Sequence, residues 1–108
     1  MPYLALPADG DAPALAIRYE IHGADGAPPL VLVHELGGTL ESWQPLAARL
    51  ADRFRIIAFD QRCAGLSEKP TAPFTLWDLA HDIRRVADAL GVAKFALMGL
   101  AMGAVTCV

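Results

Sequence analysis

The 108-residue chain is poor in charge. Asp, Glu, Lys and Arg make up 19% of it, against about 25% in a typical soluble domain. Nine basic residues face twelve acidic ones, for a net charge of −3. No Lys/Arg cluster stands out, which excludes a basic nucleic-acid module. Cysteine is scarce: Cys63 and Cys107 cannot form a disulfide framework, so a reduced, cytoplasmic setting is the default expectation. No apolar run approaches the ~18 residues of a membrane span. Residues 95–108 are uncharged, but Gly99 and Gly103 interrupt them. The start, Met1-Pro2-Tyr3-Leu4, lacks the positive n-region of a signal peptide. No internal repeat is visible, and no Cys/His cluster has metal-ligand spacing. Gly37-Gly38 belongs to no phosphate loop, and no G-x-G-x-x-G follows the first parallel strand. Neither a metal nor a cofactor is therefore expected.

Apolar residues, by contrast, are abundant, at 55% before glycine is counted. A free-standing domain this small exposes proportionally more surface and should be more polar. High hydrophobicity with low net charge also excludes a disordered chain.

The pattern along the chain accounts for the excess. Residues 14–22 alternate, with Leu15, Ile17, Tyr19 and Ile21 on one face, as in a half-buried strand. Residues 3–6 are its expected hairpin partner across the turn at 8–12. Residues 23–29 read as a Gly/Pro-rich loop. Three continuous apolar runs follow, at 30–33, 55–59 and 95–98, as expected for strands buried on both faces of a parallel sheet. Helical periodicity separates them. Residues 42–50 carry Trp43, Leu46, Ala47 and Leu50, with Pro45 in the first turn. Residues 75–90 carry Leu76, Leu79, Ala80, Ile83, Val86, Ala87 and Leu90 in helical register. Thr75 with Asp78 reads as the helix start and Gly91 as its stop. The expected class is α/β: a hairpin, then parallel strands alternating with helices on both faces. Residues 101–108 open a further helix that lacks a stop signal. The whole chain, 1–108, therefore reads as a single partial domain, with a sheet edge open to self-association or pairing.

Ligands in open α/β sheets bind at the carboxyl ends of the strands. Those ends read His34-Glu35-Leu36-Gly37-Gly38, Asp60-Gln61-Arg62-Cys63-Ala64-Gly65-Leu66-Ser67, and Gly99-Leu100-Ala101-Met102-Gly103. In order and spacing these segments resemble the α/β-hydrolase family. That family has a His-Gly loop after its third strand, D-x-R-G-x-G-x-S after its fourth, and G-x-S-x-G after its fifth. Within it, the chain is similar to small ester and lactone hydrolases such as 3-oxoadipate enol-lactonases.

The resemblance implies a fold and a site. Gly99 and Gly103 would flank a tight nucleophile elbow. The nucleophile position holds Ala101, which has no hydroxyl to attack a carbonyl. The backbone N–H groups of Leu36 and Met102 would form the oxyanion hole, and backbone donors survive a change of side chain. The acid and histidine of a triad would come after residue 108. Glu35 stands where the family has glycine, and Cys63-Ala64 replaces a Gly-His or Gly-Ala pair. Three departures together favour a natural variant branch, with an introduced Ser→Ala change as the alternative. The implied function is hydrolysis of a small-molecule carbonyl substrate by the complete protein. The alternatives are a non-catalytic ligand or partner binder and an inactive fragment.

Each candidate carries a plainer reading. Glu35 is a candidate acid or base, but a loop carboxylate held by nearby N–H groups is the more economical expectation. His34 is expected to brace its loop, with Gly37, Gly38 and Gly65 shaping the turns. Asp60 and Arg62 are expected to pair with each other. Cys63 is expected to be a small buried residue rather than half of a thiolate pair with His34. Trp43 and Trp77 are expected to pack. His81, Arg84 and Arg85 are expected on the solvated helix face, and His22 outward.

Overall fold

The computed structural model describes residues 3–35 and 37–99. Strand β1 (Tyr3–Leu6) and strand β2 (Leu15–His22) form the expected antiparallel hairpin, with Tyr3 opposite Arg18 and Leu6 opposite Leu15. The Asp9–Ala12 bridge closes its turn. The three apolar runs are strands β3 (Pro29–Val33), β4 (Arg55–Phe59) and β5 (Ala96–Gly99). The sheet order is β1-β2-β4-β3-β5. β2 meets β4 antiparallel, whereas β4, β3 and β5 run parallel.

Both faces of β3 and β4 are covered, as their continuously apolar runs led us to expect, whereas β5, expected to be buried in the same way, is exposed at the sheet edge. Val31, Val33, Ile57 and Phe59 pack against Ile83, Val86 and Ala87 of helix α2 (Leu76–Ala89). Leu30, Leu32, Ile56 and Ala58 pack on the other face against Leu40, Trp43 and Ala47. Each fully buried Val, Leu, Ile or Phe contributes about 1.5–3 kcal/mol. Helix α2 starts as expected: the Thr75 hydroxyl accepts from Asp78 N, and Asp78 Oδ2 accepts from Thr75 N, a reciprocal capping box. The expected helix at 42–50 divides into a 3-10 turn (Leu40–Trp43) and helix α1 (Gln44–Leu50). Pro45 has no N–H to donate, which suits it to the first turn of α1.

Several side chains depart from the expected faces. Arg18 lies on the outward side of an alternating strand, yet it is 3% exposed. Its guanidinium meets Asp60 and Glu41. Arg85 is buried beside Asp82 instead of solvated, and Trp77 is 83% exposed instead of packed. Trp43 packs as expected. At the sheet edge, Leu97 and Met98 of β5 are exposed. Among the described residues no helix is long and apolar enough to cross a membrane.

Candidate active-site cleft

Parallel pairing brings the site together. Phe59, Val33 and Gly99 lie abreast on β4, β3 and β5. The segments following β3 and β4 therefore leave the sheet on one edge, that of Gly99. His34 and Gln61 lock the first two. His34 Nδ1 lies 2.7 Å from Glu35 O, and its Nε2 lies 3.0 Å from Gln61 N. The Gln61 N–H can only donate, so Nε2 accepts and the ring hydrogen sits on Nδ1. Gln61 Nε2 returns a bond to His34 O at 3.1 Å. Both imidazole nitrogens are thus engaged, so His34 braces the loops and has no free lone pair to offer Cys63.

Asp60 anchors the loop after β4. Its Oδ1 accepts from Leu40 N at 2.7 Å, and its Oδ2 accepts from Leu66 N at 2.9 Å. The guanidinium beside it belongs to Arg18, with Nε 2.7 Å from Oδ2, and not to Arg62 as the sequence led us to expect. Gly65 follows from this packing. Its φ is +51°, and a Cβ there would lie 2.3 Å from Asp60 Oδ2. Arg18 also bonds Glu41. That bond holds the Arg18 guanidinium above its ordinary pKa, with Asp60 adding to the effect against desolvation. The same bond, helped by Thr39, holds the Glu41 carboxyl down at about 2.

Arg62 reaches instead to α2. Its Nε and Nη2 make a bidentate pair with Asp82 at 2.7 and 2.8 Å. That hydrogen bond holds Arg62 above its ordinary pKa. Asp82 Oδ1 also accepts from Arg85 Nη1 at 3.0 Å, and Arg85 Nη2 donates to Pro7 O and Pro13 O. One buried carboxylate thus ties the β4 loop, α2 and the hairpin together. The Phe74 ring lies 5.6 Å from the Arg62 guanidinium carbon.

Glu35 occupies a narrow place. Its Oε1 accepts from Ser42 Oγ at 2.7 Å. A Cβ on Gly38 would sit 1.6 Å from that oxygen, so glycine at 38 is what admits the carboxylate. That partner is a hydroxyl and not the backbone N–H groups that the plainer reading named.

These loops and the start of α2 enclose a cleft of about 520 Å³. His34, Gly37, Gly38, Gln61, Arg62 and Cys63 line one part, and Phe74, Leu76 and Leu79 the other. Glu35 does not line it. Cys63 is exposed, not buried, and its φ is +66°, a conformation that glycine adopts more easily. Leu36, Ala101, Met102 and Gly103 lie outside the described residues. Among the described residues, no group of His, Cys, Asp and Glu has the makings of a metal site.

Three contributors escaped the sequence reading: Arg18, Gln61 and Asp82. Asp82 had a signal. It falls three residues after Leu79 and four before Val86, on the apolar stripe of α2. A carboxylate there calls for a buried cation. Arg18 and Gln61 are set by contacts distant in sequence, for which no local pattern exists.

Comparison with known proteins agrees with this architecture. Residues 28–108 match the family model described as alpha/beta hydrolase fold. A putative carbamate hydrolase RutD of Caulobacter segnis is 35% identical over 91 residues, covering 81% of this chain and 34% of the relative. A 3-oxoadipate enol-lactonase 2 of Acinetobacter baylyi is 30% identical over 92 residues, covering 85% and 34%. Among solved structures, the enol-lactonase of Burkholderia xenovorans LB400 superimposes with a TM-score of 0.88 at 34% identity, covering 97% of this chain and 39% of that one. The chain spans about a third of the length of the curated relatives it matches.

Proposed function

The chain belongs to the alpha/beta hydrolase fold family, and on that premise we propose that its cleft receives a small carbonyl compound. In the complete protein this compound is an ester or lactone to be hydrolysed. The observation that carries the reading is the cleft itself, walled by the segments after β3 and β4 and open at the carboxyl ends of the parallel strands. That is where open α/β sheets bind ligands. The relatives named for enol-lactone and carbamate hydrolysis support a carbonyl substrate.

In this reading the loop after β3 and the elbow after β5 supply an oxyanion hole through the N–H groups of Leu36 and Met102. Such donors stabilise the tetrahedral intermediate of acyl transfer without any side chain. His34, Gln61 and Asp60 fix the loops after β3 and β4. Ala101 stands where the nucleophile would be, and a methyl group forms no acyl-enzyme. In the family the acid and histidine of a triad follow the nucleophile in chain order.

The missing hydroxyl favours a second reading, a family member that binds a carbonyl ligand without turning it over. One experiment separates the two. The complete reading frame is expressed, native and as Ala101→Ser, and both are screened for ester and lactone turnover. Turnover by the serine variant supports the hydrolase ancestry of the site. Saturable binding by the native protein without turnover supports the binder. Rapid native turnover abolished by Glu35→Gln would instead assign non-serine chemistry to Glu35. Inactivity of both forms, with no binding, rejects the reading.

A further inference from the structure

Gln61 is 4% exposed, and its amide has only one orientation consistent with its surroundings. Nε2 donates to His34 O, and turning the amide over would set two oxygens against each other. That leaves Oε1 buried, with no donor among the described residues. A buried acceptor without a partner is costly, and native structures keep few of them. Gln61 also lines the cleft, as do Phe74, Leu76 and Leu79. The cleft is therefore lined in part by hydrocarbon and in part by a residue that carries a buried acceptor with no partner among the described residues. The terminal torsion of glutamine is soft. A ligand donor in the cleft that Gln61 lines would give Oε1 the partner it lacks.

We propose that Gln61 is a specificity-determining residue, whose Oε1 accepts a hydrogen bond from an N–H or O–H group of the bound carbonyl compound. The preferred ligands are then amides, carbamates or hydroxylated carbonyl compounds. An ester of the same shape that lacks a donor leaves Oε1 unpaired and binds less well. This rests on the reading of the cleft as a carbonyl site, and it narrows the class of compound.

Cys63 provides the reporter, because its exposed thiol lies in the same cleft. The full chain is alkylated with iodoacetamide in the presence of N-methylbutyramide or of methyl butyrate. The two probes share a skeleton and differ by N–H against O. Peptide mapping follows Cys63 separately from Cys107. The amide is expected to half-protect Cys63 at a concentration about tenfold lower than the ester does. Gln61→Met is expected to abolish the difference, and Gln61→Glu, which keeps an acceptor, to retain a preference for the amide. Equal protection by both probes in the native chain overturns the inference and leaves the carbonyl site standing, whether or not a variant folds. A preference that persists in Gln61→Met overturns it too. Protection by neither probe overturns both the inference and the reading of the cleft.

Discussion

Asp82→Ala is the perturbation that most sharply tests how the cleft is held. Asp82 is 2% exposed, and the guanidinium groups of Arg62 and Arg85 that it serves are each 5% exposed. Removing the carboxylate leaves two buried cations. Arg85 keeps Pro7 O and Pro13 O, but Arg62 loses both of its hydrogen bonds to Asp82. Breaking a buried pair in this way costs about 3–5 kcal/mol. A domain of this size is stable by roughly 5–15 kcal/mol, so the loss is a large fraction of the total. With a urea slope of about 1–3 kcal/mol per molar, the unfolding midpoint falls by about 2 M. The same helix provides its own control. Arg84 and Asp88 sit 3.8 Å apart with side chains 56% and 65% exposed, and Asp88→Ala is expected to cost only about 0.3–0.5 kcal/mol. Arg62→Met added to Asp82→Ala removes the stranded cation, so the double variant should lose less than the sum of the single losses. A loss for Asp82→Ala under about 1 kcal/mol, or strict additivity in the cycle, refutes the reasoning.

Three further outcomes follow from the site. Gly38→Ala must push the Glu35 carboxylate off Ser42 Oγ, which is expected to cost about 1 kcal/mol; the penalty should shrink in a Glu35→Ala background, as read by urea unfolding. Thr75→Ala removes the capping box of α2 and is expected to cost about 1 kcal/mol by the same assay. The third concerns pH. The Glu41 carboxyl sits at about 2 in the fold against an ordinary value of 4.5, mainly through Arg18. A depressed carboxyl stabilises above its unfolded value, and that stability is lost as pH falls through the folded one. The urea midpoint should therefore drop on acidification from about 4.5 toward 2, and Glu41→Gln should flatten that part of the profile. The step is small, because Glu41 is half exposed and water screens the pair.

The elements were legible because their signals are local. Three continuous apolar runs became β3, β4 and β5, and the stripe from Leu76 to Leu90 became α2 with its expected cap. The ion pairs were not legible in the same way. The Asp60–Arg62 pairing looked natural from proximity in sequence, but the chain enters a turn at Arg62. Each found a partner brought in by tertiary structure, Arg18 across β2 and Asp82 on α2. Cys63 looked like a core residue by type. Its positive φ and its place at the cleft come from the turn around Asp60, which composition does not encode. Trp77 shows the same limit, since size alone does not decide burial at a helix start.

The proposal that most needs testing is that position 101 stands where the family's nucleophile acts. A serine-directed fluorophosphonate tests it most directly. Such a reagent forms a stable adduct only with a hydroxyl activated beside an oxyanion hole. The complete protein carrying Ala101→Ser is expected to gain a single phosphonyl group on the peptide containing residue 101, whereas the native protein gains none there. An unlabelled residue 101 in a folded Ala101→Ser protein would contradict the account.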